Sequence, residues 1–221
     1  MTNEMQNEAA SRASGGAKIL VLPTADLAGA DDAALVEAIR RGEPQASRAL
    51  WLRYSRLVHR IIRRSLGQPA DVEDLAQEVF LNLFRRLPTL REPRALPAFI
   101  LTITTLTLRH ELRRRWVRRY ITLGATEDIG ADQQVVHPDP EARQAVSRFY
   151  AILDKLKPEE RMAFVLRFIE GMELTEIASA LELSLATVKR RLAKARSRLE
   201  HHIAKDAALA SYLLVLDGET P

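Results

Sequence analysis

Two short stretches concentrate positive charge in a way that points to phosphate chemistry. Arg109, Arg113, Arg114, Arg115, Arg118 and Arg119 fall within eleven residues, against one acid, Glu111. Lys189, Arg190, Arg191, Lys194, Arg196 and Arg198 fall within ten residues with no acid. Cations at this density displace counterions from a nucleic-acid backbone, and each stretch has the size of a phosphate footprint. The second stretch lies in a pattern of two short helices and a turn, EIASALELSLATVKRRL from Glu176. Ile177, Ala178 and Leu181 are apolar on the first helix, Leu183 lies in the turn, and Val188 and Leu192 anchor the second at i, i+4. Ala178 is small where two helices must approach. Thr187, Lys189, Arg190, Arg191 and Lys194 are the polar positions of the second helix, of types that reach phosphates and guanine edges in a major groove. The hairpin points to duplex DNA and leaves the process open.

Other chemistries find no footing. Cysteine is absent, so disulfides, thiolate zinc sites and thiol catalysis are excluded. There is no glycine-rich phosphate loop, no nucleophile elbow and no paired metal motif, so no catalytic residue, cofactor or small-molecule substrate is expected. His201 and His202 are adjacent, and side chains about 100° apart on a helix do not share one metal. No apolar run approaches the roughly 18–20 residues that span a bilayer, and Ile19–Leu22 is too short for a signal-peptide core. A cytoplasmic protein outside the membrane is expected.

The elements that would carry these residues read as helices. The chain has 221 residues, 47% hydrophobic and only 5% aromatic, a mix that favours helices over β-sandwiches. Residues 1–30 are small and polar and are expected to form a disordered tail. Asp31 or Asp32 caps a first helix ended by Gly42, and Pro44 opens a second carrying Leu50, Tyr54, Leu57, Val58, Ile61 and Ile62. Asp71, with Asp74 in capping-box position, opens a third with the stripe Val72, Leu75, Val79, Leu83 and Leu87. Its other face holds Glu73, Asp74, Gln77 and Glu78.

Phe99–Leu108, FILTITTLTL, has strand propensity, but it runs without a turn signal into helical HELRRR, and a lone strand has no partner. It is assigned to a helix. Residues 121–140 form an acidic linker containing Glu127, Asp128, Asp132 and Asp139. Helical patterning resumes near Glu141, and Pro158-Glu159-Glu160 starts a further helix ended by Gly171. The predicted fold is all-α: a helical bundle at 31–120 and a helix-turn-helix domain at 141–203, joined by a flexible linker, with a tail at 204–221.

Taken together, the chain resembles the extracytoplasmic-function group of the sigma-70 family over about residues 31–203. The segments that carry the resemblance are DVEDLAQEVFLNLF (Asp71–Phe84), HELRRR (His110–Arg115) and the stretch from Leu156 to Leu199. Their order and spacing match the family's sigma-2 and sigma-4 domains. The resemblance implies a factor that binds core RNA polymerase and directs promoter recognition and strand opening. It implies that Asp71, Glu73, Asp74, Gln77 and Glu78 dock on a coiled coil of the largest subunit, in keeping with an acidic outer face pairing with a basic partner. It implies that Phe99–Arg119 melts and reads the −10 element, Arg109, Arg113 and Arg114 holding phosphates and Phe99 and Trp116 stacking on bases. Thr187, Lys189, Arg190, Arg191 and Lys194 would contact the −35 element. An anti-sigma factor clamping the two domains is expected as a further partner.

The chain also departs from the family pattern. The usual tryptophan near Phe99-Ile100 is missing, and an Ala-Arg-Asn triplet gives way to Thr104-Thr105-Leu106, where Leu106 cannot hydrogen-bond a base edge. His110 replaces an acid, Glu182 the usual glycine of the turn, and Arg190 a serine. Two other readings therefore stand beside the first: a degenerate sigma-like decoy, and a stand-alone helix-turn-helix regulator.

Overall fold

The computed structural model describes residues 31–67, 71–122, 140–206 and 209. Within them the elements are α1 (Asp32–Arg40), α2 (Pro44–Leu66), α3 (Val72–Arg86), α4 (Leu96–Thr122), α5 (Pro140–Leu153), α6 (Pro158–Phe164), α7 (Leu174–Ala180) and α8 (Leu185–Ile203). A single π turn, Val165–Ile169, extends α6, and two short 3-10 turns lie between α3 and α4. No strand occurs among the described residues. The expected tail at 1–30, nearly all of the expected linker and most of the expected C-terminal tail lie outside them.

Local chemistry explains most of the boundaries. The Asp31 carboxylate caps α1 by accepting from the Ala34 N–H at 2.7 Å. Gly42 follows α1 at φ 73°, a backbone state that favours glycine. Pro44 and Pro158 sit in the first turns of α2 and α6, where a missing N–H costs nothing. The capping box expected at Asp71 is absent, because the Asp71 carboxylate makes no cap and is taken by Arg115 instead.

The segment with strand propensity is helical and forms the first half of α4, which is 27 residues long. Its threonines return their hydroxyls to the helix: Thr104 Oγ1 donates to the Ile100 carbonyl at 2.8 Å, and Thr102 Oγ1 to Ala98 at 3.0 Å. Burial then overrides propensity, since Leu96, Ile100, Ile103, Thr104, Thr105, Thr107 and Leu108 are all buried.

One hydrophobic cluster takes in α1–α4 and continues without a break into Met162, Ala163, Leu166, Ile177, Leu181 and Val188 of α6–α8. A second cluster joins α5, α6 and α8 through Ile152, Leu153, Leu156, Phe164, Ala195, Leu199 and Ile203. The two helical groups, α1–α4 and α5–α8, are therefore packed face to face. Polar contacts accompany the apolar ones. Arg161, fully buried, donates from Nε to the Ser65 carbonyl at 2.8 Å and pairs with Asp154. Burial lowers the pKa of its guanidinium. Thr105 Oγ1 lies 2.8 Å from the Ala180 carbonyl. Tyr150 donates from its hydroxyl to the Arg64 carbonyl at 3.2 Å.

Tyr54, on α2, donates to Asp32 Oδ1 at 2.7 Å, and Arg53 reaches the same oxygen at 3.0 Å. Burial, then the bond to Asp32, pushes the phenol well above its ordinary value. Above pH ~10 the unfolded chain loses this proton while the folded chain keeps it, so stability falls as pH rises. Tyr54→Phe is expected to cost about 1 kcal/mol at pH 7, the worth of one hydrogen bond, and to lose less stability than the native chain between pH 9 and ~11. Denaturant melts at the two pH values check both.

Candidate nucleic-acid interface

The helix-turn-helix is built as the spacing requires. α7 ends with the N–H groups of Glu182 and Leu183 donating to the carbonyls of Ser179 at 3.1 Å and Ala178 at 2.8 Å, a Schellman arrangement. That arrangement places Glu182 at φ 54°, in the left-handed region where the family's glycine would sit without strain. Ser184 then caps α8 by accepting from the Thr187 N–H at 3.2 Å. Val188 is buried and Leu192 is packed against the first cluster, so the anchors face inward as expected.

The five polar positions of α8 separate into two sets. Lys189, Arg190 and Lys194 are exposed. Thr187 is half-buried, with its hydroxyl 2.9 Å from Ser184 Oγ. Arg191 is half-buried, and its Nη1 has no hydrogen-bond partner among the described residues. Burial lowers its pKa, and the nearby charges are Glu159, Arg109, Arg190 and Glu160. Farther along α8, Arg196 pairs with Glu200 and Arg198 with Glu160, both at 2.7 Å. The second basic stretch therefore presents its N-terminal half outward and spends its C-terminal half on internal pairs.

The first basic stretch forms the C-terminal half of α4. Its one acid, Glu111, is buried and gathers three of the arginines: Arg114 at 2.5 Å, Arg115 at 2.6 Å and Arg118 at 3.8 Å. Arg115 continues to Asp71 with two bonds of 2.8 and 2.9 Å, tying the start of α3 to α4. Burial opposes the charge on Arg115, but the bonds to Glu111 and Asp71 prevail and raise its pKa. Arg114 and Arg118 stay largely exposed despite their pairing, Arg113 is exposed, and Arg109 and Trp116 are half-buried. Phe99, at the other end of the helix, is half-buried and packed against the first cluster. It lies about four turns from Arg114, so the five residues Phe99, Arg109, Arg113, Arg114 and Trp116 do not form one patch.

The outer face of α3 carries Glu73, Asp74, Gln77 and Glu78, all exposed, while Asp71 is held by Arg115. Sequence reading missed a fifth member of that face, Leu81, which is 56% exposed. The signal was available: Leu81 falls off the apolar stripe and follows Gln77 and Glu78 at i+4 and i+3. Leu81 gives that acidic face one exposed apolar side chain. Also missed was an arginine row on α2, comprising Arg56, Arg60, Arg63 and Arg64. Among the described residues no cluster of three or more His, Asp or Glu side chains is arranged to hold a metal, and no helix is long and apolar enough to cross a membrane.

Comparison with known proteins identifies the family to which the chain is similar. Residues 50–118 match the family described as Sigma-70 region 2, and residues 147–199 match Sigma-70, region 4. The chain is 34% identical over 156 residues to the ECF RNA polymerase sigma factor SigE of Mycolicibacterium smegmatis, an alignment covering 68% of this chain and 59% of that one. It is 27% identical over 183 residues to the ECF RNA polymerase sigma-E factor of Escherichia coli, covering 78% and 94%. Among solved structures, CnrH in complex with the cytosolic domain of CnrY is similar at a TM-score of 0.55 and 25% identity, over 80% of this chain and 99% of that one. The sigma factor RpoE in complex with the anti-sigma factor NepR from Bartonella quintana shares the fold at a TM-score of 0.53 and 19% identity, over 72% and 97%.

The turn supplies a test of the backbone reading. Glu182→Gly is expected to raise stability by about 0.5–1 kcal/mol, because glycine adopts the left-handed state without the cost borne by a side chain. Chemical denaturation of the two proteins measures it, and a loss of stability would show that the Glu182 side chain contributes more than its backbone costs.

Proposed function

The chain belongs to the sigma-70 family of RNA polymerase sigma factors, in its extracytoplasmic-function group, and on that premise we propose how its surfaces divide the work. The outer face of α3, with Glu73, Asp74, Gln77, Glu78 and Leu81, docks on the coiled coil of the largest polymerase subunit. Asp71 contributes indirectly by fixing the start of α3 to α4 through Arg115. The arginine end of α4 holds the backbone near the −10 element, with Arg109, Arg113 and Arg114 on phosphates and Trp116 as a stacking surface. Phe99 belongs to the packing of the bundle. The exposed face of α8, Lys189, Arg190 and Lys194, reads the −35 element, while Thr187 and Arg191 set the helix in place. The catalyst is the polymerase, and this chain supplies specificity from the cytoplasm. The boundaries that suit this division are a sigma-2-like unit at 31–120 and a sigma-4-like unit at 141–203.

The observation that carries the reading is the presence of two outward basic surfaces on two separate helical groups, beside an acidic face with an exposed leucine. A simple repressor needs one such DNA surface and no acidic docking face. Geometry adds a requirement. Elements some 25 base pairs apart are separated by roughly 85 Å at 3.4 Å per pair. α4, the longest helix, spans only ~40 Å at 1.5 Å per residue. The packed arrangement cannot read both elements at once, so α5–α8 must part from α1–α4 in the initiation complex. An anti-sigma partner would act by holding them together. CnrH, similar over most of this chain, was solved with the cytosolic domain of a protein partner.

With core polymerase and a supercoiled promoter template, the chain is expected to produce permanganate-reactive thymines near the −10 element. Polymerase binding without opening would instead make it a decoy, and duplex binding without polymerase binding would make it a plain regulator. Leu81→Ser isolates the docking face. An exposed leucine contributes little to folding, so stability should stay within ~0.5 kcal/mol of native. Affinity for core polymerase should fall by about tenfold if Leu81 is a central contact. Unchanged affinity would move the docking face elsewhere.

A further inference from the structure

The α2 arginine row is the strongest charged feature that the assignments above leave unused. Arg56, Arg60, Arg63 and Arg64 lie at i, i+4, i+7 and i+8, so they share one helix face. They line a depression of about 520 Å³ together with His59 and Glu73. Arg60 and Arg63 each keep 52% of the side chain exposed, and Arg64 keeps 47%.

The row already holds an anion. Glu170, from the segment after α6 in the other helical group, reaches across the interface with its carboxylate buried to 5% exposure. Arg60 Nε lies 3.3 Å from it and Arg64 Nη1 3.4 Å. Arg64 Nη1 also donates to the Ile169 carbonyl at 3.1 Å. Glu73 is the other acid at the row, engaged with His59 at 2.9 Å and more distantly with Arg63 at 3.9 Å. When α5–α8 move away, Glu170 leaves with them. Four guanidinium groups then face solvent with Glu73 as their one neighbouring acid among the described residues.

We propose that this row is a third phosphate-binding surface, which receives the backbone of the promoter duplex when the two groups part and is occupied by Glu170 while they are packed together. The inference rests on the sigma reading, since that reading requires the parting. The row lies at the interface with α5–α8, so parting the groups would uncover it. Guanidinium groups accept a phosphate in the geometry that suits a carboxylate. Glu170 is thus a built-in competitor for DNA.

The test uses the full-length chain in three forms: native, Glu170→Gln, and Glu170→Gln combined with Arg56→Ala and Arg63→Ala. Binding to a long duplex is measured against salt concentration. Glu170→Gln is expected to bind about threefold tighter than native, with a steeper slope of log K on log salt, because it frees Arg60 and Arg64. Adding the two arginine substitutions should remove about 1.8 from that slope, the loss of two phosphate contacts. Arg56 and Arg63 are exposed, so the fold survives their loss. An equal slope for native and Glu170→Gln would overturn the masking, and an equal slope with and without Arg56 and Arg63 would overturn the phosphate surface. Loss of core polymerase binding in the triple variant with an unchanged duplex slope would make the row a protein contact and overturn the proposal as well. Failure of the sigma reading would appear separately, as a native chain that opens no promoter with core polymerase, while the salt slopes still decide the fate of the row.

Discussion

The first half of α4 imposes the constraint from which the rest follows. Leu96 through Leu108 is apolar or threonine around its whole circumference. A helix of that kind offers apolar surface to both helical groups, and it is buried at Leu96, Ile100, Ile103, Thr104, Thr105, Thr107 and Leu108 while Pro97 and Ala98 stay exposed. α2 and α3 cover one side through Ile61, Leu75, Val79 and their neighbours. α6 and α7 cover the other through Met162, Leu166, Ile177 and Leu181. The packing of the two helical groups thus centres on one helix that both of them help to bury. Parting the groups exposes apolar surface at about 25 cal/mol per Å², and that cost must be met by new contacts with polymerase and DNA.

Polar contacts at the same interface give it direction. Arg161 extends from α6 to the Ser65 carbonyl at the end of α2, and a guanidinium that is fully buried tolerates little displacement. Thr105 is the more telling case. Its position falls in the triplet where the family has Ala-Arg-Asn, and here its hydroxyl is within reach of the Ala180 carbonyl at the end of α7. An arginine at that position would be too large for a site exposed to only 1%. Thr105, one of the departures from the family triplet, is in the packed form a fitted contact between the two groups.

Much of this was legible before any coordinates. The helical stripes, the caps at Asp31 and Ser184, the prolines at α2 and α6 and the helix-turn-helix all follow from short-range rules, and they appear where periodicity places them. The reach of tertiary contacts was not legible. Asp71 reads as a cap, because Asp74 stands three residues on, but Arg115 lies 44 residues away in the chain and its Nη2 bonds both oxygens of Asp71, a contact that no local pattern announces. Charge counting likewise treated six arginines and one acid as a nearly uncompensated patch. The buried position of Glu111 lets that single acid organise three of them. The α2 row is masked in the sequence because its arginines are spread through an amphipathic helix whose apolar stripe dominates the pattern.

These arrangements share one principle. Two of the surfaces that would meet nucleic acid are partly answered by a carboxylate from within the chain: Glu111 beneath the α4 arginines and Glu170 on the α2 row. The two differ in what opening would do to them. Glu111 sits on the same helix as its arginines and stays with them, so it orients those side chains in either arrangement. Glu170 sits on the opposite helical group, so on the proposed parting its effect is confined to the packed form. An internal acid on the same element tunes a DNA surface, whereas one on the opposing element couples that surface to the conformation. On that proposal the positive charge of the chain is conditional on its shape, and the net charge of +4 understates what a parted form would present to DNA.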